Sequence, residues 1–415
     1  MPAARIADPR RRRFLAAALA APAALSGCDF ALQEGLLNAC HATLPSELAR
    51  HPLVAAAWQG LDPALVVDAH CHLFGDGDSG RGPWMNPAMA SVLSPARFVQ
   101  RLFYLNAGCV HDHPGRVDES VVDRLLNQVA GLPAGAKLLL LAFDWARDAR
   151  GEPLPESSTL HVPDAYARDV ARAHPQGFEW AASIHPYDPA ALDRLAAARA
   201  SGALAVKWLP PAQNIDPASP RCDAFYRALA ASGMPLITHA GDERAVAGHD
   251  AALGNPLKLR RPLGLGVRVI VAHCASLGAA TDLDAGANGP LRSAFDLFAR
   301  LMDEAEHRGR LLGDLSAVAQ ANRGEEVVAT LLERTDWHDR LVNGSDYPLP
   351  GVVPLVGLDA FVRRGLLDAG AVPVLRAIRD HNAILFDFVL KRALARGGRR
   401  FAAGVFETRR HLATT

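Results

Sequence analysis

Eight short apolar runs recur along most of this chain: residues 65–72, 137–143, 178–185, 203–209, 235–239, 268–274, 311–316 and 341–346. They are crowded with aliphatic and β-branched side chains, as strands buried on both faces are. Amphipathic Ala/Leu/Arg stretches such as 190–200 and 223–231 lie between them. Strands alternating with helices predict a parallel sheet. Eight units over roughly 280 residues predict an α/β fold of the (β/α)8 TIM-barrel type. A doubly wound sheet is the competing architecture. It would need a Gly-x-Gly-x-x-Gly turn after the first strand, whereas that strand ends in His70-Cys71-His72.

On a strand, residues i and i+2 share a side, so His70 and His72 converge. Two imidazoles presented together suit a divalent metal, although an isolated pair is more readily explained by two core histidines holding hydrogen bonds. The other strand ends add weight: Lys207, His239, His273 and Asp346, with His185 closing the third run. In a barrel these ends meet at one mouth, where packing alone has no use for so many metal-competent groups. Cys71 and Cys274 each adjoin a strand-end histidine, and alternation sends their side chains to the opposite side.

In the order and spacing of Asp68-Ala69-His70-Cys71-His72, Val206-Lys207, Thr238-His239-Ala240-Gly241, Ala272-His273-Cys274, Gly344-Ser345-Asp346-Tyr347-Pro348 and Asn382-Ala383, the chain resembles the metal-dependent amidohydrolase superfamily. The likeness is to its barrel-only branch of hydrolases and decarboxylases such as aminocarboxymuconate-semialdehyde decarboxylase. It spans residues 65–390, with no flanking β-sandwich. The resemblance implies that His70, His72, His239 and Asp346 bind a divalent metal, most often Zn²⁺, with Mn²⁺, Fe²⁺ or Co²⁺ as alternatives. It implies that Asp346 is also the base, and that His273 binds a second metal or contacts the reacting group. Lys207 would be carboxylated and bridging in a binuclear site. The activity implied is hydrolysis of a C–N or C–O bond (amide, lactone or ester) in a small substrate by metal-activated hydroxide. Non-oxidative decarboxylation of a small aromatic or enoic acid is the alternative on the same scaffold. It often needs an arginine clamp, and no arginine stands at a strand end; Arg147 and Arg244 are the nearest. A non-catalytic metal-binding lipoprotein is the third reading. Trp208, Gln213 and Arg147 are candidate substrate contacts, because they sit at or just after strand ends; Asp144, Trp145, Asn214, Asp242 and Glu243 share that position.

The connection from 75 to 136 is long, which marks an insertion serving as a lid or binding loop. It carries an apolar helical stretch at 98–105 and a second His-x-His, His111-Asp112-His113, read as lid surface or substrate contact. Residues 29–60 read as a connector with helices at 32–42 and 44–59. Residues 61–395 form the catalytic domain, and the basic segment 396–415 a solvated, frayed tail.

Arg10-Arg11-Arg12-Arg13-Phe14-Leu15 followed by an Ala-rich apolar run resembles a twin-arginine export signal. Leu25-Ser26-Gly27-Cys28 resembles a bacterial lipobox. Residues 1–28 are therefore expected to be a signal peptide, with Cys28 lipidated and the protein anchored on the periplasmic or extracellular side of a membrane. No apolar run reaches the ~18 residues of a spanning helix. Of 415 residues, 44 are Lys or Arg and 44 Asp or Glu, so no bulk field attracts nucleic acid. The expected partners are a small-molecule substrate and that membrane, with room for a homo-oligomer. Cysteine spacing excludes a Cys-x-x-Cys zinc site. Export would permit disulfides, but spacing pairs none of them.

Overall fold

The computed structural model describes residues 38–110, 114–243, 245–246 and 248–413. The expected signal peptide with Cys28, the His111–His113 motif and Arg244 lie outside the described residues.

Each of the eight apolar runs contains a strand, shorter than the run itself. They are β1 (Val67–His72), β2 (Lys137–Leu141), β3 (Phe178–Ala181), β4 (Val206–Trp208), β5 (Leu236–His239), β6 (Val269–Ala272), β7 (Leu311–Asp314) and β8 (Leu341–Val342). All pair in parallel, in a three-stranded sheet β1-β2-β3 and a five-stranded sheet β8-β7-β6-β5-β4. The sheets join at both edges. Ala182 bridges Val206, and Lys207 N–H donates to Ala182 O at 2.7 Å. Cys71 bridges Tyr347, and Asp346 N–H donates to His70 O at 2.8 Å. Helices such as Asp164–Ala173, Ala191–Ala200, Asp223–Ser232 and Ala294–Asp303 separate the strands in sequence.

One side of the strands carries Val67, Ala69, Leu139, Leu141, Ala181, Ala205, Ile237, Ile270, Leu312 and Val342, which pack together as one buried cluster. Their alternate neighbours, including Cys71, Leu138, Leu140, Val206, Leu236, Val269 and Val271, face a second, larger core shared with the helices. This is the period-two division expected of a sheet buried on both faces.

Between β1 and β2 lie a short strand Trp84–Met85, the helix α1 (Pro95–Ala107) and the helix α2 (Val117–Ala130). Trp84–Met85 pairs antiparallel with Leu160–His161. Neither this ribbon nor the hairpin of Ala279–Thr281 with Leu291–Ser293 was anticipated; runs of two or three residues leave no usable periodicity. Gly108 and Cys109 follow α1, and Cys109 forms a disulfide with Cys40.

Two expectations are corrected. In the connector, residues 38–42 are not helical, and the helix expected at 44–59 is two pieces, Ser46–Ala49 and Pro52–Trp58. Pro52 excludes helical geometry at the residue before it, and His51 accordingly sits at φ −62°, ψ 139°. The C-terminal segment is not a frayed tail. Phe401, Val405, Phe406, Thr408 and Leu412 are buried, and Leu412 joins the inward-facing cluster of the strands. Ala413 N–H donates to Leu204 O at 3.1 Å, so the segment covers the end at which β4 begins. Its apolar residues are spaced among arginines that donate outward, such as Arg409 to Ala64 O. Composition alone therefore misread it.

Candidate metal centre and cavity

The inward parity of the strands delivers most of the polar groups at their C-terminal ends. Lys207 lies two residues beyond Ala205, His239 two beyond Ile237, and Asp314 two beyond Leu312. Asp346 lies four beyond Val342. The two remaining strands break parity to reach the same place. In β1, Asp68 pairs with Leu138 and Cys71 with Leu140, so one extra residue is accommodated between them. That bulge turns His70 and His72 inward and Cys71 out. After β6, His273 adopts φ 57°, a left-handed conformation uncommon outside glycine. Asp346 also has a positive φ, 64°; strain of this kind concentrates at functional sites. Gly344 must be glycine, because a Cβ there would lie 2.6 Å from His70 Cβ and 2.8 Å from Asp314 Oδ1.

His70, His72 and Asp346 bring three ligand atoms together, and His70, His273 and Asp314 form an overlapping group. Asp346 Oδ1 lies 3.1 Å from His72 Nε2 and 3.6 Å from His70 Nε2. Its Oδ2 is 4.0 Å from His273 Nε2. His239 lines the same cavity; its ring centroid is 5.3 Å from that of His273, and its Nε2 lies 3.1 Å from Asp242 O.

A second layer orients two of these rings. His70 Nδ1 donates to Asp314 Oδ2 at 2.7 Å. His273 Nδ1 lies 2.8 Å from Ser316 Oγ and 3.1 Å from Ser316 O. Ser316 Oγ donates to Asp314 Oδ2 at 2.5 Å. With both Nδ1 atoms carrying hydrogen, both Nε2 lone pairs point into the cavity.

Electrostatics favour the same arrangement. Burial drives the pKa of His70 well below its ordinary value, and the neighbouring Lys207 adds to this. Burial likewise lowers His273 and His239. Burial pushes Asp346 upward, but its electrostatic interaction with the His273 ring and its hydrogen bond with His72 outweigh this and hold the carboxyl well below the usual range. Neutral imidazoles beside an ionised carboxylate are the protonation states a divalent cation requires, so these residues fit one. Lys207 Nζ lies 3.0 Å from His70 Nε2, the atom that would face the metal. Burial lowers its pKa to about 8.

The cavity above these groups has a volume of about 530 Å³. Its wall is largely apolar, with Phe74, Val99, Phe103, Leu277, Leu349 and Leu355, and it includes Glu243 and Arg323. Helix α1 forms part of the wall through Val99, Gln100, Phe103 and Tyr104.

The three expected substrate contacts lie away from this cavity. Trp208 is fully buried and stacks on Phe225 at 5.5 Å, because a strand that points Lys207 inward must point its neighbour outward. Gln213 is fully buried and ties Leu209 N–H to Asp144 O. Arg147 pairs with Asp188 at 2.9 Å. None of the three lines the cavity. His185 is a core histidine, 2.8 Å from Gln213 O. Of the other loop candidates, Glu243 lines the cavity, while Asp144 is held by Arg194 at 2.8 Å. Sequence reasoning missed Asp314, Ser316 and Arg323. The first was reachable, since it stands two residues beyond an inward leucine. Arg323 lies beyond the end of β7 with no periodic pattern to mark it.

No family model matches the chain, and no curated protein matches it. Similar solved structures include an uncharacterized TIM-barrel protein from Bordetella bronchiseptica, at 16% identity over 76% of this chain and 97% of that one, with a TM-score of 0.44. A protein from Pseudomonas putida described as a 2-pyrone-4,6-dicarboxylic acid hydrolase matches at 15% identity over 78% and 97%, TM-score 0.42. The 5-carboxyvanillate decarboxylase of Sphingomonas paucimobilis matches at 13% identity over 82% and 98%, TM-score 0.40. The matched structures also include one described as amidohydrolase II and a 2,6-dihydroxybenzoate decarboxylase.

Proposed function

We propose that the chain is a (β/α)8-barrel enzyme of the amidohydrolase superfamily, with its long insertion after the first strand forming one wall of the active site. It acts as a metal-dependent hydrolase on a C–N or C–O bond of a small substrate. The observation that carries this reading is the convergence of His70, His72 and Asp346 at the base of a cavity whose wall is mostly apolar. His239 completes the ligand set, and His273 either joins it or faces the reacting group. A divalent cation held by this donor set would supply Lewis acidity and lower the pKa of a water molecule toward neutrality. Asp346, kept ionised by its neighbours, accepts that proton on a carboxylate oxygen and returns it to the leaving group. The apolar part of the wall lowers the local dielectric and strengthens each of these interactions.

Arg323 in the cavity wall favours a second reading, decarboxylation, because it supplies the cation whose absence from the strand ends had favoured hydrolysis. A panel of lactones, esters, amides and carboxylates, assayed with Zn²⁺ or Mn²⁺, separates the two: carbon dioxide release marks decarboxylation, and loss of an ester or amide marks hydrolysis. No turnover of any class would support a binding protein instead. Asp346→Asn abolishes turnover in either enzyme while the thermal midpoint holds. Activity within about tenfold of wild type would remove the base role.

The same proposal includes export and a lipid anchor on Cys28. The Cys40–Cys109 disulfide supports an oxidising compartment. Cys28→Ser is expected to shift the protein from the membrane to the soluble fraction; unchanged fractionation refutes the anchor.

A further inference from the structure

The large apolar side chains left exposed among the described residues are not spread evenly. Val92 (72% exposed), Leu93 (90%) and Val99 (58%) follow β1. Leu192 stands on the first turn of the helix after β3, Leu283 and Leu291 follow β6, and Val353 follows β8. Each belongs to a connection leaving the C-terminal end of a strand, the end at which the cavity opens. None belongs to a connection leading from a helix into the opposite end. Val92, Leu93 and Val99 are grouped at the start of α1. Residues 82–96 around this group carry no charged side chain, and Arg81 and Arg97 flank them. Ala96 and Val99 belong both to this exposed surface and to the cavity wall, so the patch is continuous with the mouth. Exposed apolar surface of this kind marks a docking face.

The start of the described chain lies at the same end. Asn38 Nδ2 donates to the carbonyl of Ala107, the last residue of α1, at 3.0 Å, and Asn38 packs against Gly351 in the segment after β8. The Cys40–Cys109 disulfide fastens the connector beside α1. Cys28 stands ten residues before Asn38, and such a length of chain reaches at most about 35 Å. Helix α1 has 13 residues and so spans about 20 Å. A lipid on Cys28 and the patch at the far end of α1 can therefore meet one bilayer surface. We infer that the mouth-side surface built on Val92, Leu93 and the first turns of α1 docks on a lipid bilayer, with the cavity opening beside it. The inference rests on the proposed anchor at Cys28, which keeps the patch at the membrane. The apolar side chains enter the boundary between headgroups and acyl chains, and the flanking arginines meet the headgroup phosphates. A second copy of the chain is the weaker occupant: a stable dimer uses about 20–30 residues a side, and this patch is one short loop with a helix end.

The test uses the full chain, purified from membranes and reconstituted in vesicles of phosphatidylethanolamine and phosphatidylglycerol. A polarity-sensitive fluorophore is attached to Leu93→Cys or, as the control, to Ala231→Cys, an exposed position at the end of the helix that leads into β5. The free cysteines among the described residues are buried, and the parent chain labelled in parallel gives the background. The Leu93 probe is expected to shift to shorter wavelength and to lose most of its emission to spin-labelled lipid, while the Ala231 probe does neither. An unshifted, unquenched Leu93 probe on a chain that floats with the vesicles overturns the docking and leaves the anchor standing. A chain that does not float, but whose Leu93 probe is quenched when lipid is added in excess, refutes the anchor and keeps the docking. A chain that does not float and whose probe stays unchanged overturns both. A shift that appears without lipid and grows with protein concentration assigns the patch to a second copy and overturns the inference.

Discussion

Replacing Asp314 by asparagine tests whether the layer beneath the histidines sets metal affinity. Asp314 Oδ2 accepts from His70 Nδ1 at 2.7 Å and from Ser316 Oγ at 2.5 Å. Its Oδ1 accepts from the Ser316 backbone N–H at 2.8 Å. Both oxygens are therefore acceptors facing donors, and asparagine has only one oxygen to offer. If its amide nitrogen takes the Oδ2 position, it confronts His70 Nδ1–H. The ring then moves its hydrogen to Nε2 and loses the lone pair that would face the metal. If the nitrogen takes the Oδ1 position, it confronts the Ser316 N–H in a site with no access to water. Either way a buried donor loses its acceptor, which costs about 1–3 kcal/mol. Loss of such an outer partner lowers metal affinity by about 10–100-fold, or ~1.4–2.7 kcal/mol. Competition against a chromophoric chelator measures it directly. Ser316→Ala serves as the internal comparison: it removes one acceptor from His273 Nδ1 but leaves Ser316 O at 3.1 Å, so its loss of affinity should be several-fold smaller. Wild-type affinity in Asp314→Asn, within about twofold, would refute the idea that this carboxylate fixes the His70 tautomer.

Burial lowers the pKa of His185 from 6.5 to about 4, so the folded protein keeps this ring neutral while the unfolded chain protonates it. Its contribution is intact above pH 6.5 and is lost as pH falls toward 4, by about 3 kcal/mol; urea titrations should show His185→Gln flattening that slope, and unchanged slopes would refute the assignment. Lys391 is fully buried and donates to Gly344 O at 2.7 Å and Asp387 Oδ2 at 2.5 Å. Lys391→Met strands the Asp387 carboxylate and should destabilise the fold by about 3–5 kcal/mol in chemical denaturation, and a loss under ~1 kcal/mol would show that Asp387 simply takes up a proton. Cys40 and Cys109 are separated by 69 residues, so Cys40→Ser should cost about 2–4 kcal/mol through the unfolded chain; an unchanged melting temperature in oxidising buffer would count against the pairing.

The order of the strands, the side of the sheet that each one buries and most of the metal-competent side chains were legible along the chain. The reason is local: a period of two decides which face a residue takes, so Lys207, His239 and Asp346 follow from the inward-facing Ala205, Ile237 and Val342. The same rule, applied one residue further, turns Trp208 away from the cavity. Other features depend on pairings between distant segments, which no local pattern encodes. A bulge in β1 against β2 decides that His70 and His72, rather than Cys71, face the cavity. A left-handed turn at His273 does the same after β6. The C-terminal segment reads as a basic, solvated tail because its buried residues are spaced among arginines. Only its docking against Leu204 shows that it closes the far end of the strands. The identities of the groups that gather are written in the sequence. The partners that orient them, Asp314 for His70 and Ser316 for His273, exist only once β7 and the loop after it are folded against β1 and β6.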